Sequence, residues 1–279
     1  MYQDIAPKTY HCEYGRYEAG EADYAMLFQQ EAILLCDDQS GFKTFKELGI
    51  GTVASQYLFS IDDHRFFLVS REISDPFRCD GCSFFAVNGL LSSAPEWVSF
   101  SAFIGLQLMR WYTNNTFCGR CGQPFVHSET ERALCCADCN NTVYPTISPV
   151  VIVGVTCNDR LLVTRYANRN QKFESLVAGF CETGETLEDS CRREVFEEAS
   201  VHIKNMRYFK SQPWGLSSSL LIGIYAELDG ELSEAHADGV ELESVRWVNR
   251  EDIQPRERSS LTADMIQSFR EKADAFSLG

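Results

Sequence analysis

The sequence has no apolar run approaching the roughly 20 residues that a membrane-spanning helix needs. Its first residues, MYQDIAPKTYHCEYG, carry neither the basic nor the apolar segment of a secretory signal. Positive charge is scarce: 25 lysines and arginines face 40 aspartates and glutamates, for a formal net charge of −15. Such a surface repels phosphate backbones and argues against general nucleic-acid binding. A phosphate ester handled by this chain needs metal ions or local arginines to offset the repulsion. Internal repeats and low-complexity segments are lacking too. Disorder is not expected, because 44% of the 279 residues are hydrophobic, enough for a sizeable core. These absences leave a globular chain with no membrane partner, long for one domain and comfortable for two.

Cysteine is abundant, with 12 residues. In a large chain that lacks an export signal and sets several of them at ligand spacing, they point to a reducing, cytoplasmic compartment rather than to disulfides.

The organisation is α/β. Residues 1–112 mix short apolar runs (AMLFQQEAILL, SQYLFSI, HRFFLVS, SFFAVNGLL) with turn residues and read as a small α/β domain ending in a helix marked by Phe103, Leu106 and Met109. Residues 113–147 are a cysteine-bearing insert. Residues 148–279 form the last domain: PVVIVGVTC and RLLVTRY are strands separated by Asn158-Asp159, ESLVAGF leads into an acidic stretch, MRYFKSQPW, SLLIGIYAEL and SVRWVNRED are further strands, and SSLTADMIQSFREKADAF is an amphipathic helix.

In the insert, Cys118-x2-Cys121 and Cys136-x2-Cys139 are separated by 14 residues, the spacing of two zinc knuckles supplying four soft ligands. Cys135 competes with Cys136, but only Cys136 keeps the two-residue spacer. A second pair, Cys79-x2-Cys82, has no partner pair and reads as free thiols in a loop.

The stretch GFCETGETLEDSCRREVFEEASV, residues 179–201, holds seven carboxylates and two arginines. Thr186 and Asp189 read as a capping pair, so a helix runs from Thr186 to Ala199. Its buried stripe is Leu187, Cys191 and Val195. Glu194, Glu197 and Glu198 share another face. Like charges there destabilise an empty helix, and a divalent cation with oxygen ligands reverses that; an ordinary solvated face is the alternative. Arg193 can pair with a carboxylate and fix its orientation, and Gly179 and Gly184 bound a loop that returns Glu185 toward the helix.

Gly179-x5-Glu185-x7-Arg193-Glu194-Val195-x-Glu197-Glu198 resembles the Nudix box, the signature of hydrolases of nucleoside diphosphates linked to another group. Ser200 stands where that family usually has glycine, at the position of a helix C-cap, and costs about 1 kcal/mol there. Ser211-Gln212-Pro213-Trp214 and Ser219, a zinc ribbon before the box, and Tyr144-Pro145 after the ribbon resemble the NADH pyrophosphatase (NudC-like) subfamily. Gly215, Leu216 and Ser217 depart from its Pro-Phe-Pro. By itself the SQPW stretch reads equally well as a strand end with a buried tryptophan.

The resemblance implies a C-terminal α/β/α sandwich with a mixed sheet, and metal-dependent cleavage of NAD(H) to NMN(H) and AMP, with NAD-capped RNA as a further substrate. It implies one structural zinc per chain on Cys118, Cys121, Cys136 and Cys139, and about two to three catalytic Mg²⁺ or Mn²⁺ ions. The catalytic set is Glu185, Arg193, Glu194, Glu197 and Glu198; one carboxylate takes the proton of the attacking water. Glu194, Glu198, Glu241 and Ala178 are implied at the Mg/Mn site. Phe180, Tyr144, Trp214, Gln212, Ser219 and Ala178 are implied at the substrate, with the two former rings stacking on a base or packing in the core. Homodimers are implied as well. Arg165, Arg169 and Lys172 form either a basic patch for RNA or a solvated loop. Rival readings are a hydrolase of ADP-ribose or another nucleotide sugar, and a non-catalytic zinc-ribbon regulator that binds nucleic acid. Without the Pro-Phe-Pro rings, the loop after Trp214 is expected to cost about 1 kcal/mol more to order on binding.

Overall fold

The unbroken apolar run VVIVGV of the central strand, whose side chains point to both faces, calls for a sheet covered on both sides. In the computed structural model, which describes residues 1–166, 174–232 and 242–271, the chain divides into two compact units. One comprises Met1, Ile147–Trp214 and Ser219–Gly279; the other comprises Tyr2–Thr146 and the turn Gly215–Ser218.

In the first unit the strands are β1 (Ser148–Cys157), β2 (Arg160–Tyr166), β3 (Val177–Phe180), β4 (Ile203–Trp214), β5 (Ser219–Leu228) and β6 (Leu242–Asn249), with helices α1 (Leu187–Ala199) and α2 (Leu261–Glu271). The sheet runs β4-β5-β1-β2-β6, with β3 paired to β1. β1 and β5 are parallel and the other pairs antiparallel, so the sheet is mixed. Val151, Val153 and Val155 of β1 pack with Cys191, Val195 and Ala199 of α1. Ile152, between them, packs with Leu261, Met265, Ile266 and Phe269 of α2. The period of two along the strand thus feeds two cores, one under each helix, and the α/β/α sandwich follows.

The ends of the elements follow local chemistry. Asn158 turns β1 into β2 with φ 53°. Thr186 caps α1, its Oγ1 accepting from Asp189 N–H at 3.1 Å. Leu187, expected in the buried stripe, is 37% exposed, because it opens the first turn, before the helix settles on the sheet. Ser200 ends α1 in the left-handed region, φ 57° and ψ 32°, as expected for a position that favours glycine. The start of α2 is anchored by polar contacts: Gln212 Oε1 accepts from Leu261 N–H at 2.8 Å, and Lys210 Nζ donates to the buried Asp264 carboxylate at 2.7 Å, which also accepts from Arg258.

The second unit has a four-stranded sheet ordered Tyr10–His11, Ser55–Ile61, His64–Val69, Tyr24–Met26, and a three-stranded sheet ordered Phe28–Gln29, Ala32–Cys36, Cys82–Ala86. The expected helix spans Glu96–Asn114; Phe103 and Leu106 are fully buried, whereas Met109 is half-buried. The ribbon is a small sheet of Val126–His127, Leu134–Cys135 and Thr142–Val143, joined to the rest of the unit by Tyr14 Oη donating to Ser128 O at 2.8 Å. Among the described residues, no helix is long and apolar enough to cross a membrane.

The turn Gly215–Ser218 is not the loose loop expected from its lost prolines. A Cβ on Gly215 would lie 2.2 Å from the Phe103 carbonyl oxygen and 2.7 Å from its carbon, so the main chain of the long helix fills the space a side chain would take. Arg110 Nη1 donates to Leu216 O at 2.5 Å. Glycine permits the close approach, and proline at 215 is incompatible with it.

Two stability predictions follow from these positions. Ser200→Gly removes the left-handed strain and should stabilise the chain by about 1 kcal/mol, read as a higher denaturation midpoint. Gly215→Ala forces a backbone shift and should destabilise by about 1–3 kcal/mol; an unchanged midpoint would show that the turn has room to move.

Candidate active site

The acidic loop and α1 are gathered by one guanidinium. Arg193 Nε donates to Glu185 Oε1 at 2.6 Å and Nη2 to Glu185 Oε2 at 2.9 Å, a bidentate pair. Nη1 donates to Glu194 Oε1 at 2.6 Å and to Glu197 Oε2 at 3.2 Å. Nη2 also donates to Phe180 O at 3.0 Å, tying the helix to the end of β3. Glu185 accepts further from Ser190 Oγ at 2.6 Å and from Glu182 N–H at 2.9 Å. The hydrogen bonds from Arg193, then those from Ser190 and Glu182 N–H, hold the Glu185 carboxyl well below the usual carboxylate range. In turn, the bonds to Glu185 first and to Glu194 and Glu197 after it hold Arg193 protonated.

Glu194 and Glu198 lie one turn apart and are 8% and 4% exposed, whereas Glu197 is exposed. Gly179 explains how the first of them fits: a Cβ there would lie 2.0 Å from Glu194 Cδ, so the carboxylate occupies the place of the missing side chain. Gly184, at φ 94°, turns the loop back so that Glu185 reaches Arg193. Two buried carboxylates four residues apart, with an exposed third beside them, form a hard-oxygen donor set suited to a divalent cation. Ala178 pairs with Ile152 on the same strand edge. Phe180 is 53% exposed, its ring free of the core.

The remaining expected residues fall elsewhere. Tyr144 belongs to the second unit, is 56% exposed, and donates from Oη to Glu131 Oε1 at 3.0 Å. Trp214 is half-buried at the end of β4, opposite Ser219, which is buried. Gln212 is 0% exposed, and its Oε1 holds the start of α2. Glu241, Arg169 and Lys172 lie outside the described residues; Arg165 is exposed, opposite Ser244 on β6.

In the ribbon, the Sγ atoms of Cys118, Cys121, Cys136 and Cys139 lie within 4.8 Å of one another, with Cys118–Cys139 at 3.6 Å and Cys121–Cys136 at 3.4 Å. Sulfurs around a tetrahedral ion with bonds of about 2.3 Å are spaced in this way. Cys135 stays outside the cluster, its Sγ accepting from Thr142 Oγ1 at 3.7 Å. The two-residue spacer is thus the register that the hairpin uses.

The geometry agrees with two family models. Residues 147–269 match the NUDIX domain, and residues 113–144 match the NADH pyrophosphatase zinc ribbon domain. The C-terminal part of the chain is a Nudix domain. Curated relatives include the NAD-capped RNA hydrolases NudC of Salmonella typhi and Salmonella heidelberg, each 39% identical over 149 residues, 53% of this chain and 57% of theirs. The chain therefore spans little more than half the length of the curated relatives it matches. Among solved structures, a NUDIX hydrolase from Nitrosomonas europaea is 24% identical, with a TM-score of 0.42, over 50% of this chain and 80% of that one.

Two measurements check the site. Cys136→Ser should lose one equivalent of ribbon metal and unfold the ribbon, while Cys135→Ser should lose none; the reverse pattern in metal analysis shows that the ligand register is shifted. For Glu185 the shift is downward, so its pairing with Arg193 is fully present above the ordinary glutamate pKa of about 4.3 and is lost as the pH falls through the depressed value. Arg193→Lys, which cannot make the bidentate bond, should move the Glu185 titration upward, as followed by carboxyl ¹³C resonances.

Proposed function

We propose that this Nudix chain hydrolyses the pyrophosphate bond of NAD(H), releasing NMN(H) and AMP, and that NAD-capped RNA is a second form of the same substrate. The observation that carries this is the cluster of Glu185, Arg193, Glu194, Glu197 and Glu198 gathered over Gly179, in a chain that also carries the NADH pyrophosphatase ribbon. The curated relatives, named as NAD-capped RNA hydrolases, support the RNA form.

Bound Mg²⁺ or Mn²⁺ supplies neutralisation of the phosphate oxygens and lowers the pKa of a bound water. The protein's part is to hold that charge in place. Glu194 and Glu198 offer carboxylates from the buried face of α1, and Glu197 offers one from the exposed face. Glu241 is proposed as a further ligand. Ala178 has only its main chain to offer, a carbonyl of the hard-oxygen type such ions take. Arg193 and Glu185 set the orientation of Glu194. Phe180 presents an exposed ring for base stacking, with Tyr144 as a second ring and Trp214 and Ser219 shaping the wall.

The four ribbon thiols are proposed to hold a structural zinc. We further propose a homodimer, supported by the exposed Tyr144, and a cytoplasmic setting, supported by twelve free cysteines. Hydrolysis of ADP-ribose is the second reading, favoured by Gly215-Leu216-Ser217 in place of the subfamily's Pro-Phe-Pro. Turnover itself separates both from a non-catalytic regulator.

A panel of NADH, NAD⁺, ADP-ribose, dinucleoside polyphosphates and NAD-capped RNA, each with Mg²⁺ and with Mn²⁺, tests the assignment. NADH and NAD⁺ should exceed ADP-ribose in kcat/KM; a large excess for ADP-ribose under both metals transfers the assignment to the second reading. Glu198→Gln keeps size but removes a buried charge, and should cost about 3 kcal/mol of transition-state stabilisation, about a hundredfold in rate. Unchanged turnover in the purified variant removes Glu198 from the site.

A further inference from the structure

The second unit holds a cavity of about 790 Å³, lined by residues of that unit alone. Small-molecule sites run from about 300 to 1,000 Å³. The cavity lies where the hairpin tip at Gln30, the strand ends at residues 54–56 and 68–71, the last turns of the long helix and the ribbon meet. Hydrogen bonds fix these walls. Ser70 N–H donates to Ala54 O at 3.0 Å, and Phe125 N–H, from the ribbon, to Thr116 O at 3.1 Å. Gln29 Nε2 donates to Ser74 O at 3.0 Å and to Asp75 O at 2.9 Å. The space is therefore pre-formed, and a ligand entering it has little chain to order.

The lining is rich in rings. Phe28, Tyr112, Phe125 and His127 all contribute to it. Tyr112, from the helix, and His127, from the ribbon, pack as one wall, with ring centroids 5.3 Å apart and planes inclined at 38°. Burial first, and the charge of Arg16 second, push the His127 pKa down, so this wall is uncharged at neutral pH.

The lining's three fixed charges, on Glu31, Arg71 and Arg110, are already matched. Arg110 pairs with Glu31 and donates from Nη1 to Leu216 O at 2.5 Å. Arg71 Nε lies 3.4 Å from Asp75 Oδ2. The polar groups left to meet a ligand are neutral amides: Gln30, Gln56, Asn114 and Asn115. Gln56 and Asn115 each direct Nε2 or Nδ2 to a nearby carbonyl, Tyr57 O at 3.2 Å and Trp111 O at 2.8 Å. Gln30, at the hairpin tip with φ 54°, and Asn114, the last residue of the helix, are exposed.

Ring faces combined with amide edges suit an uncharged nucleobase. Any base stacks on aromatic side chains. The edges discriminate: Asn or Gln pairs bidentately with N6 and N7 of adenine, whereas guanine is matched by arginine. Both arginines of the lining are engaged elsewhere, which favours adenine.

We propose that this cavity is a second ligand site, for a free, uncharged nucleoside of the adenine type, with its base against the Tyr112–His127 wall and its edge read by the amides. The site shares no residue with the carboxylate cluster or with the four ribbon thiols, and it stands independently of the pyrophosphatase reading.

The test is an adenosine titration of the full chain labelled with ¹³C-methyl methionine. Met109 lines the cavity, whereas Met206 and Met265 belong to the other unit, so ring-current shifts report which site fills. Met109→Leu identifies the resonance. The Met109 methyl should shift saturably in the wild type and equally in Phe180→Ala, with guanosine weaker by about tenfold or more. Gln30→Ala combined with Asn114→Ala truncates two exposed side chains, leaves the core intact, and should weaken adenosine by about tenfold. The wild-type titration requires no variant to fold. An unmoved Met109 at adenosine concentrations up to about 1 mM overturns the proposal. So does a shift that is lost in Phe180→Ala, an affinity equal for guanosine, or one unchanged in the double variant. A Met109 that responds to single-stranded oligoadenylate but not to adenosine overturns it too, and assigns the cavity to an RNA strand.

Discussion

The Arg193 guanidinium is the constraint on which the site rests. A loop carboxylate, two helix carboxylates and the carbonyl at the end of β3 all converge on it. Without a cation at that point the carboxylates repel, the loop bearing Glu185 has no reason to fold back, and the helix loses its tie to the strand. The planar fork matters as much as the charge. Two of its nitrogens grip Glu185 in parallel while the third serves the helix, which a lysine with a single nitrogen cannot reproduce. The crowding this creates sets the next requirement. With Glu194 drawn in over β3, only a residue without a side chain fits beneath it, and Gly179 is that residue.

What could be read from the sequence follows from how local the cause is. The helix, its cap and the shared face of Glu194 and Glu198 are consequences of a 3.6-residue period within 13 residues, and they were legible. So was the ribbon register, because a two-residue spacer is itself the geometry of a knuckle. The mixed sheet with a core on each face was implied by the family resemblance rather than read from the strands one by one, and the unbroken apolar run of β1 agrees with it. The roles of Gln212 and Gly215 were not. Gln212 sits in a motif that suggests a ligand, and nothing near it in the chain announces that its Oε1 accepts from the Leu261 amide, 49 residues away. Gly215 looks like a loss of proline stiffness, but the carbonyl that excludes a side chain belongs to Phe103, and nothing near Gly215 in the chain announces it.

The net charge of −15 and the anionic character of any pyrophosphate set the last step. Burying Glu194 and Glu198 removes hydration from two like charges four residues apart, which raises the free energy of the empty site. Arg193 reaches Glu194 but spends most of its donors on Glu185 and the Phe180 carbonyl. The helix face therefore retains an excess of negative charge, and the pyrophosphate substrate proposed above would have to approach it. A divalent cation relieves the repulsion within the helix and the repulsion of the substrate together. Its binding must then stabilise the folded chain as well as the complex, because an ion that binds only the assembled face draws the equilibrium toward it. On the proposed function, fold stability and catalytic competence are coupled through the same carboxylates, and Arg193 keeps them in register for both.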